Sequence, residues 1–175
     1  MPLVSDENPK LTREARGPPY EPLVCPSPFF MYYIFEALKT TGYRLEVVDC
    51  IRRWYSVFLD WGFSTTGENW IHRKGATSAC HAWSAHPIVH LSNIVLGITQ
   101  AAPGWEKITF EPLLADGAHA RGSVATPLGL VETNWERGKD GINVKLSLPK
   151  GVKANVRLPG VRKDITGGRH EWRLP

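Results

Sequence analysis

Cysteine is scarce in this chain. Cys25, Cys50 and Cys80 are odd in number and widely spaced in 175 residues. That pattern excludes a disulfide framework and points to free thiols. No apolar run approaches the ~20 residues of a bilayer span, so no membrane partner is expected. Residues 1–26 are polar and proline-rich and lack the apolar centre of a signal peptide, which makes the cytoplasm the expected location. Long tracts of like charge are also missing. Lys and Arg number 21 against 17 Asp and Glu, a net charge of +4. The basic residues are scattered, densest around Arg157, Arg162, Lys163, Arg169 and Arg173. Without a nucleic-acid motif, this balance describes a mildly basic surface and no nucleic-acid partner. Phosphate-loop and dinucleotide fingerprints are absent, as is a G-x-S-x-G elbow, so no cofactor is expected and serine-nucleophile chemistry has no support.

Tryptophan, by contrast, is plentiful, with seven in the chain. Indole planes fill cores, and they also stack on the C–H faces of sugars. Residues 1–26 read as an irregular lead. "SPFFMYYIFEALKTTG" then reads as a helix, with Ser27 as cap, Pro28 in the first turn and Gly42 as the stop. Its apolar residues cover much of the circumference, as in a helix buried on more than one side. "YRLEVVDCIRRWYSVFLDWG" is a second helix, with Val47, Ile51, Trp54 or Tyr55, Phe58 and Leu59 on its apolar face and Gly62 at its end. A third is expected over "SAHPIVHLSNIVLG", capped by Ser84 and stopped by Gly97.

After Gly97 the period changes from helical to two. "WEKITFEP", "ARGSVATP", "GLVETNWERG", "INVKLSLPKG" and "KANVRLPG" are short alternating segments punctuated by Gly and Pro, the signature of a small antiparallel β-sandwich. The chain is therefore an α+β protein, helical over 27–99 and β over 100–175. Three helices and five strands are few for two self-sufficient cores. The helical part reads as the end of something larger.

Between the second and third helices lies "GFSTTGENWIHRKGATSACHAWSAHP", which gathers Glu68, Trp70, His72, His81, Trp83 and His86. Glu68 is a candidate catalytic carboxylate. It also completes a capping-box pattern with Thr65 before a short helix, and the two readings compete. His81 is a candidate donor to a sugar hydroxyl beside Trp83, or a structural histidine. Cys80, His81, His86 and His90 match no zinc-ligand spacing, and no metal is expected.

"SPFFMYYIFEAL", "IRRWYSVFLDWGFSTTGENW", "SACHAWSAHPIVHLSNIVLGI", "APGWEKITFEP" and "GSVATPLGLVETNWER" together resemble the C-terminal end of bacterial α-L-rhamnosidases, the family 78 glycoside hydrolases. The similarity runs in order from about Ser27 to the C-terminus. It implies the terminal helices of an (α/α)6 barrel over 27–99, followed by the sandwich. It implies hydrolysis of terminal α-L-rhamnosides with inversion, and a rhamnose-containing glycoside as partner. Glu68 falls where the family has its general base, and His81 where a histidine contacts rhamnose. Trp70 and Trp83 fall in matching motifs and are carried as sugar contacts. The family's general acid comes from the earlier part of the barrel, which nothing in residues 1–26 resembles. One carboxylate cannot both activate water and protonate the leaving group on the opposite face. The expected partners therefore include the N-terminal part of the barrel or a second copy of the chain. The alternative is a non-catalytic carbohydrate-binding or interaction module.

Overall fold

The computed structural model describes residues 25–71 and 77–175. All of the proline-rich lead except Cys25 and Pro26 lies outside them, as does His72. The chain divides into two compact units, Met1–Ile88 and Val89–Pro175.

In the first unit, α1 spans Met31–Thr40 and α2 spans Arg44–Asp60. The Pro28–Phe30 turn leads into α1, and Ser27 closes that turn, its Oγ accepting the Phe30 N–H at 3.2 Å, while Phe30 stands at the N-cap of α1 without a side-chain cap. Gly62 ends α2 in the left-handed region, with φ of 72°. This lets the Phe63 N–H reach back to the Phe58 carbonyl at 2.8 Å, a bond that closes the helix and satisfies one of its last acceptors. Gly42 ends α1 in the same way, with the Tyr43 N–H on the Leu38 carbonyl. Met31 and Phe35 of α1 are buried, as are Val47, Val48, Tyr55, Val57 and Phe58 of α2. Leu59, assigned to the apolar face of α2, is instead 73% exposed, while its neighbour Val57 is buried. The buried arc turns toward Val57 because Trp70 lies against Phe58 and Tyr55.

The single helix expected over 84–97 is three short pieces. A 3₁₀ turn covers Ala82–Ser84, α3 covers Pro87–His90, and a π turn covers Leu91–Val95. Ser84 does not cap α3. Its hydroxyl is engaged by loop carbonyls, described below. Among the described residues, no helix is long and apolar enough to cross a membrane.

The second unit is a six-stranded sheet made of β1 Ile98–Gln100, β2 Lys107–Phe110, β3 His119–Thr126, β4 Gly129–Gly138, β5 Gly141–Leu158 and β6 Val161–Leu174. The order is β1-β2-β5-β4-β3, and β6 pairs along the other side of β5. The small antiparallel sandwich expected from the sequence is corrected in two ways: the six strands belong to one sheet, and β2 runs parallel to β5, with Ile108 opposite Ala154. The β3–β4 hairpin separates the two in sequence, which leaves ample chain for a parallel crossover. β5 is also one strand where two were expected. Its first half pairs with β4 and its second half with β2, and a register shift between Leu148 and Lys153 lies between them. Val144 and Leu146 from the first half and Ala154 and Val156 from the second enter one core, with Trp135, Ile108 and Phe110. Trp135 is 1% exposed, and its Nε1–H donates to the Val95 carbonyl at 3.0 Å. This satisfies the one polar atom that a buried indole brings with it.

Candidate active site

The loop after α2 is held by two short segments lying side by side, 65–68 and 78–81. The Glu68 N–H donates to the Ser78 carbonyl at 3.0 Å, and the Ser78 N–H donates back to Glu68 Oε2 at 3.0 Å. The His81 N–H donates to the Thr66 carbonyl at 2.9 Å, and Thr65 Oγ1 donates to the Ala79 carbonyl at 2.7 Å. These bonds stand in place of the capping box. Residues 65–71 are not helical, and Thr65 uses its hydroxyl across the loop and not on a helix end. Glu68 caps a backbone N–H from the opposing segment.

Ser84 binds the two segments from behind. It is fully buried, and its Oγ lies 2.8 Å from the Gly67 carbonyl and 2.8 Å from the His81 carbonyl. A hydroxyl has one proton and two lone pairs, so it donates to one of these carbonyls at a time. Gly67 itself is needed for space, since a Cβ there would come within 2.8 Å of Phe58 Cε1. The backbone next to Glu68 is thus pressed onto α2 on one side and tied to the His81 backbone on the other.

The four residues singled out from the sequence separate into two groups. Glu68 and His81 are half-buried. Trp83 is 64% exposed, its ring 5.4 Å from the His81 ring and 5.4 Å from the Phe29 ring. These rings form an accessible aromatic surface that continues from Phe29 to Tyr33 at 5.8 Å. Trp70 does not join it. It is 5% exposed, stacked on Phe58 at 5.5 Å and meeting Tyr55 edge-on at 5.1 Å, with its Nε1–H on the Pro26 carbonyl at 2.7 Å. With both ring faces in the core, Trp70 supports the loop and offers no plane to a sugar.

Phe29 was read as part of a buried helix, and Ser84 as a cap. Phe29 instead lies against Trp83 and Ser84 bonds the loop carbonyls, and no sequence signal separates these roles. His86 takes a structural place, with its Nε2 2.8 Å from the Tyr55 hydroxyl and 2.9 Å from the Pro28 carbonyl. Burial pushes the Tyr55 phenol well above its ordinary value. Burial also raises the Cys50 thiol, outweighing the opposing effect of Arg53. Among the described residues, no three His, Cys, Asp or Glu side chains gather as metal ligands would.

Residues 97–173 match the bacterial alpha-L-rhamnosidase C-terminal domain. An alpha-L-rhamnosidase of Alteromonas sp. (strain LOR) is 29% identical over 108 residues, which is 61% of this chain and 11% of that protein. The crystal structure of a GH78 family rhamnosidase of Bacillus sp. GL1 is similar at 32% identity and a TM-score of 0.67. It covers 76% of this chain and 15% of its own. The chain is related to the C-terminal part of the bacterial α-L-rhamnosidases.

An alpha-L-rhamnosidase from Dictyoglomus thermophilum shares the fold, with a TM-score of 0.69 at 20% identity over 82% of this chain and 20% of its own. The chain spans between a tenth and a fifth of the length of these rhamnosidases. The matched C-terminal domain begins at Gly97, where the helical turns give way to β1. It therefore contains none of Glu68, His81 or Trp83. The rhamnosidase relationship of the helical part rests on the similarity to the Bacillus rhamnosidase, which covers 76% of the chain.

Proposed function

We propose that this chain forms the C-terminal part of an α-L-rhamnosidase-like glycoside hydrolase. In this reading, residues 27–99 supply the last helices of an (α/α)6 barrel and residues 100–175 form the C-terminal β domain that follows it. The completed enzyme hydrolyses terminal α-L-rhamnosides with inversion. Glu68 is the general base. The Ser78 N–H holds Oε2, so Oε1 is the oxygen that takes a proton from the attacking water. His81 hydrogen-bonds the sugar, and Trp83 offers a plane beside it. The general acid comes from the rest of the barrel, because inversion needs a second carboxylate on the opposite side of the bond. The observation that carries the proposal is the anchored Glu68 in the same loop as the His81–Trp83 ring pair, in a chain related to rhamnosidases. The exposed aromatic surface at Phe29, Phe30 and Tyr33 is where the remaining barrel, or a second copy, would be covered.

The test is hydrolysis of a nitrophenyl α-L-rhamnoside. Two proteins would be compared, the chain alone and a chimaera in which it replaces the corresponding end of the Bacillus relative. The chain alone should release nothing. The chimaera should release nitrophenol, with the inverted anomer formed first by NMR, and Glu68→Gln should cut its rate by about 10²–10⁴. Full activity in the Glu68→Gln chimaera would remove Glu68 from the mechanism.

A second reading, a non-catalytic carbohydrate-binding module, is favoured by one observation. The His81–Trp83–Phe29 surface is exposed and needs no second carboxylate to hold a sugar. Calorimetry of the chain with L-rhamnose separates the two readings. Heat that disappears in Trp83→Ala, together with an inactive chimaera, would favour binding alone.

A further inference from the structure

The outer face of the sheet carries an arrangement that hydrolysis at Glu68 does not use. Alternation along β3–β6 sends one set of side chains to the core and the other outward. The outward set lines up across four strands. Register places Arg121 opposite Asn134, Asn134 opposite Lys145, and Lys145 opposite Glu171. The next row joins Ser123, Glu132, Ser147 and Arg169 in the same way.

These rows are not on a flat surface. They line a groove of about 610 Å³. A second hollow of about 520 Å³ shares Asn134, Lys145 and Glu171 and is bounded further along by Glu136, Asn143 and Arg173. Together they form a trough running along the strands, each part within the size range of small-molecule sites. Every residue in it belongs to the second compact unit.

The chemistry of the trough selects its occupant. Arg121, Lys145, Arg169 and Arg173 face Glu132, Glu136 and Glu171, so the charges nearly cancel. A phosphate backbone would need a surplus of cations, and a polyanion gains little here. Val144, Leu146 and Trp172 border the two hollows, but alternation turns their side chains to the core, so the outward side chains build no apolar wall for an aliphatic or aromatic ligand. Donors and acceptors alternate instead, with the amides of Asn134 and Asn143 and the hydroxyls of Ser123 and Ser147 among the charges. A hydroxyl group is both donor and acceptor, and a chain of them matches such a lining. Lys145 pairs with Glu171 at 3.4 Å inside the trough and Arg173 with Asp140 at 3.3 Å at its end, and all four partners are exposed. Pairs of this kind are weak and yield readily to ligand hydroxyls.

We infer that the outer face of β3–β6 is a binding surface for a neutral, hydroxyl-rich polysaccharide chain, built from none of the residues of the Glu68 loop. Without an aromatic platform it binds through hydrogen bonds alone, weakly at each sugar and along several sugars at once. This inference does not depend on Glu68 acting as a base.

The test is affinity electrophoresis of the full chain in gels containing a neutral polysaccharide, arabinogalactan or xyloglucan, with polygalacturonate as the anionic comparison. The chain should be retarded by a neutral polysaccharide. Asn134→Ala combined with Arg169→Ala should weaken that retardation about tenfold, since it removes contacts to the bound chain. Glu132→Ala, at an exposed position, gives an independent variant should the double one fold poorly. Glu68→Gln should bind as the wild type does, which keeps failure here distinguishable from failure of the hydrolase reading. Three results would overturn the inference: no retardation by either neutral polysaccharide, retardation unchanged in the trough variants, or retention by polygalacturonate alone that salt abolishes. Dimers that the trough variants convert to monomers would assign the face to contact between copies and overturn it too.

Discussion

Glu68 and Ser78 hold each other twice, once through their backbones and once through the Glu68 carboxylate, each bond at 3.0 Å. The carboxylate is therefore oriented by the loop that carries it, before any ligand arrives. Glu68→Gln keeps an acceptor for the Ser78 N–H, and its stability should stay within about 0.5 kcal/mol of wild type. Glu68→Ala removes the acceptor and should cost about 0.5–1.5 kcal/mol. Urea unfolding of the chain measures both, and equal losses for Gln and Ala would show that the Ser78 contact contributes nothing.

Ser84 should matter more than its size suggests. Ser84→Ala deprives the Gly67 and His81 carbonyls of the same buried hydroxyl. The expected cost is about 1–3 kcal/mol, the range for a buried polar group left unsatisfied. The urea midpoint should fall with the slope unchanged. A midpoint equal to wild type would mean that water or a shifted backbone replaces the hydroxyl.

Trp70 and Trp83 should behave as opposites despite their shared motif. Trp70→Ala opens a cavity beside Phe58 and Tyr55 and should cost about 3–5 kcal/mol, enough to unfold the helical unit. Trp83→Ala should change stability by less than about 0.5 kcal/mol, because its ring is mostly in solvent. Circular dichroism through a thermal ramp distinguishes them, and a large loss in Trp83→Ala would contradict its surface assignment.

Alkaline stability should depend on Tyr55. Its phenol is raised above the ordinary value near 10 by burial. The folded form therefore keeps a proton that the unfolded form releases, and stability falls as pH rises above about 10. Tyr55→Phe is expected to be less stable at neutral pH, having lost the bond to the Pro28 carbonyl, but to lose less between pH 10 and 12. Chemical unfolding at several pH values tests this, and parallel profiles for the two proteins would refute it.

The isolated chain should associate through its aromatic surface. Phe30 and Tyr33 are each 52% exposed and lie 5.5 Å apart, beside Phe29. Contiguous patches of this kind mark interfaces or aggregation sites. Sedimentation velocity should show oligomers that Phe30→Ser with Tyr33→Ser reduces. A monomeric wild type with no dye-binding apolar surface would remove the expectation.

Much of this was legible in the sequence because it depends on neighbours along the chain. Ser27, Gly42 and Gly62 mark helix ends by local rules, and the alternation from Lys107 to Leu158 marks strands by period. β6 escaped notice because Gly167 and Gly168 interrupt it and its exposed positions are charged. The break assigned at Pro149–Gly151 is a shift within one strand, since β6 pairs continuously with β5 on both sides of it. Resemblance to rhamnosidases, read from linked motifs, agreed with the family and structural relatives. The capping-box reading of Thr65 and Glu68 failed because local spacing cannot reveal a second segment ten residues away.

By itself, then, the sequence determined the order of helices before strands, the helix ends, the strand periodicity and the relationship to rhamnosidases, since each is written in residues close together or in ordered motifs. Tertiary structure alone decided that Trp70 is core and Trp83 surface, that Ser84 ties Gly67 to His81, and that Glu68 faces Ser78. It also decided that polar residues from four strands line one trough. Two tryptophans in like motifs have the same propensities, and only the packing of Phe58 and Tyr55 against one of them makes them different.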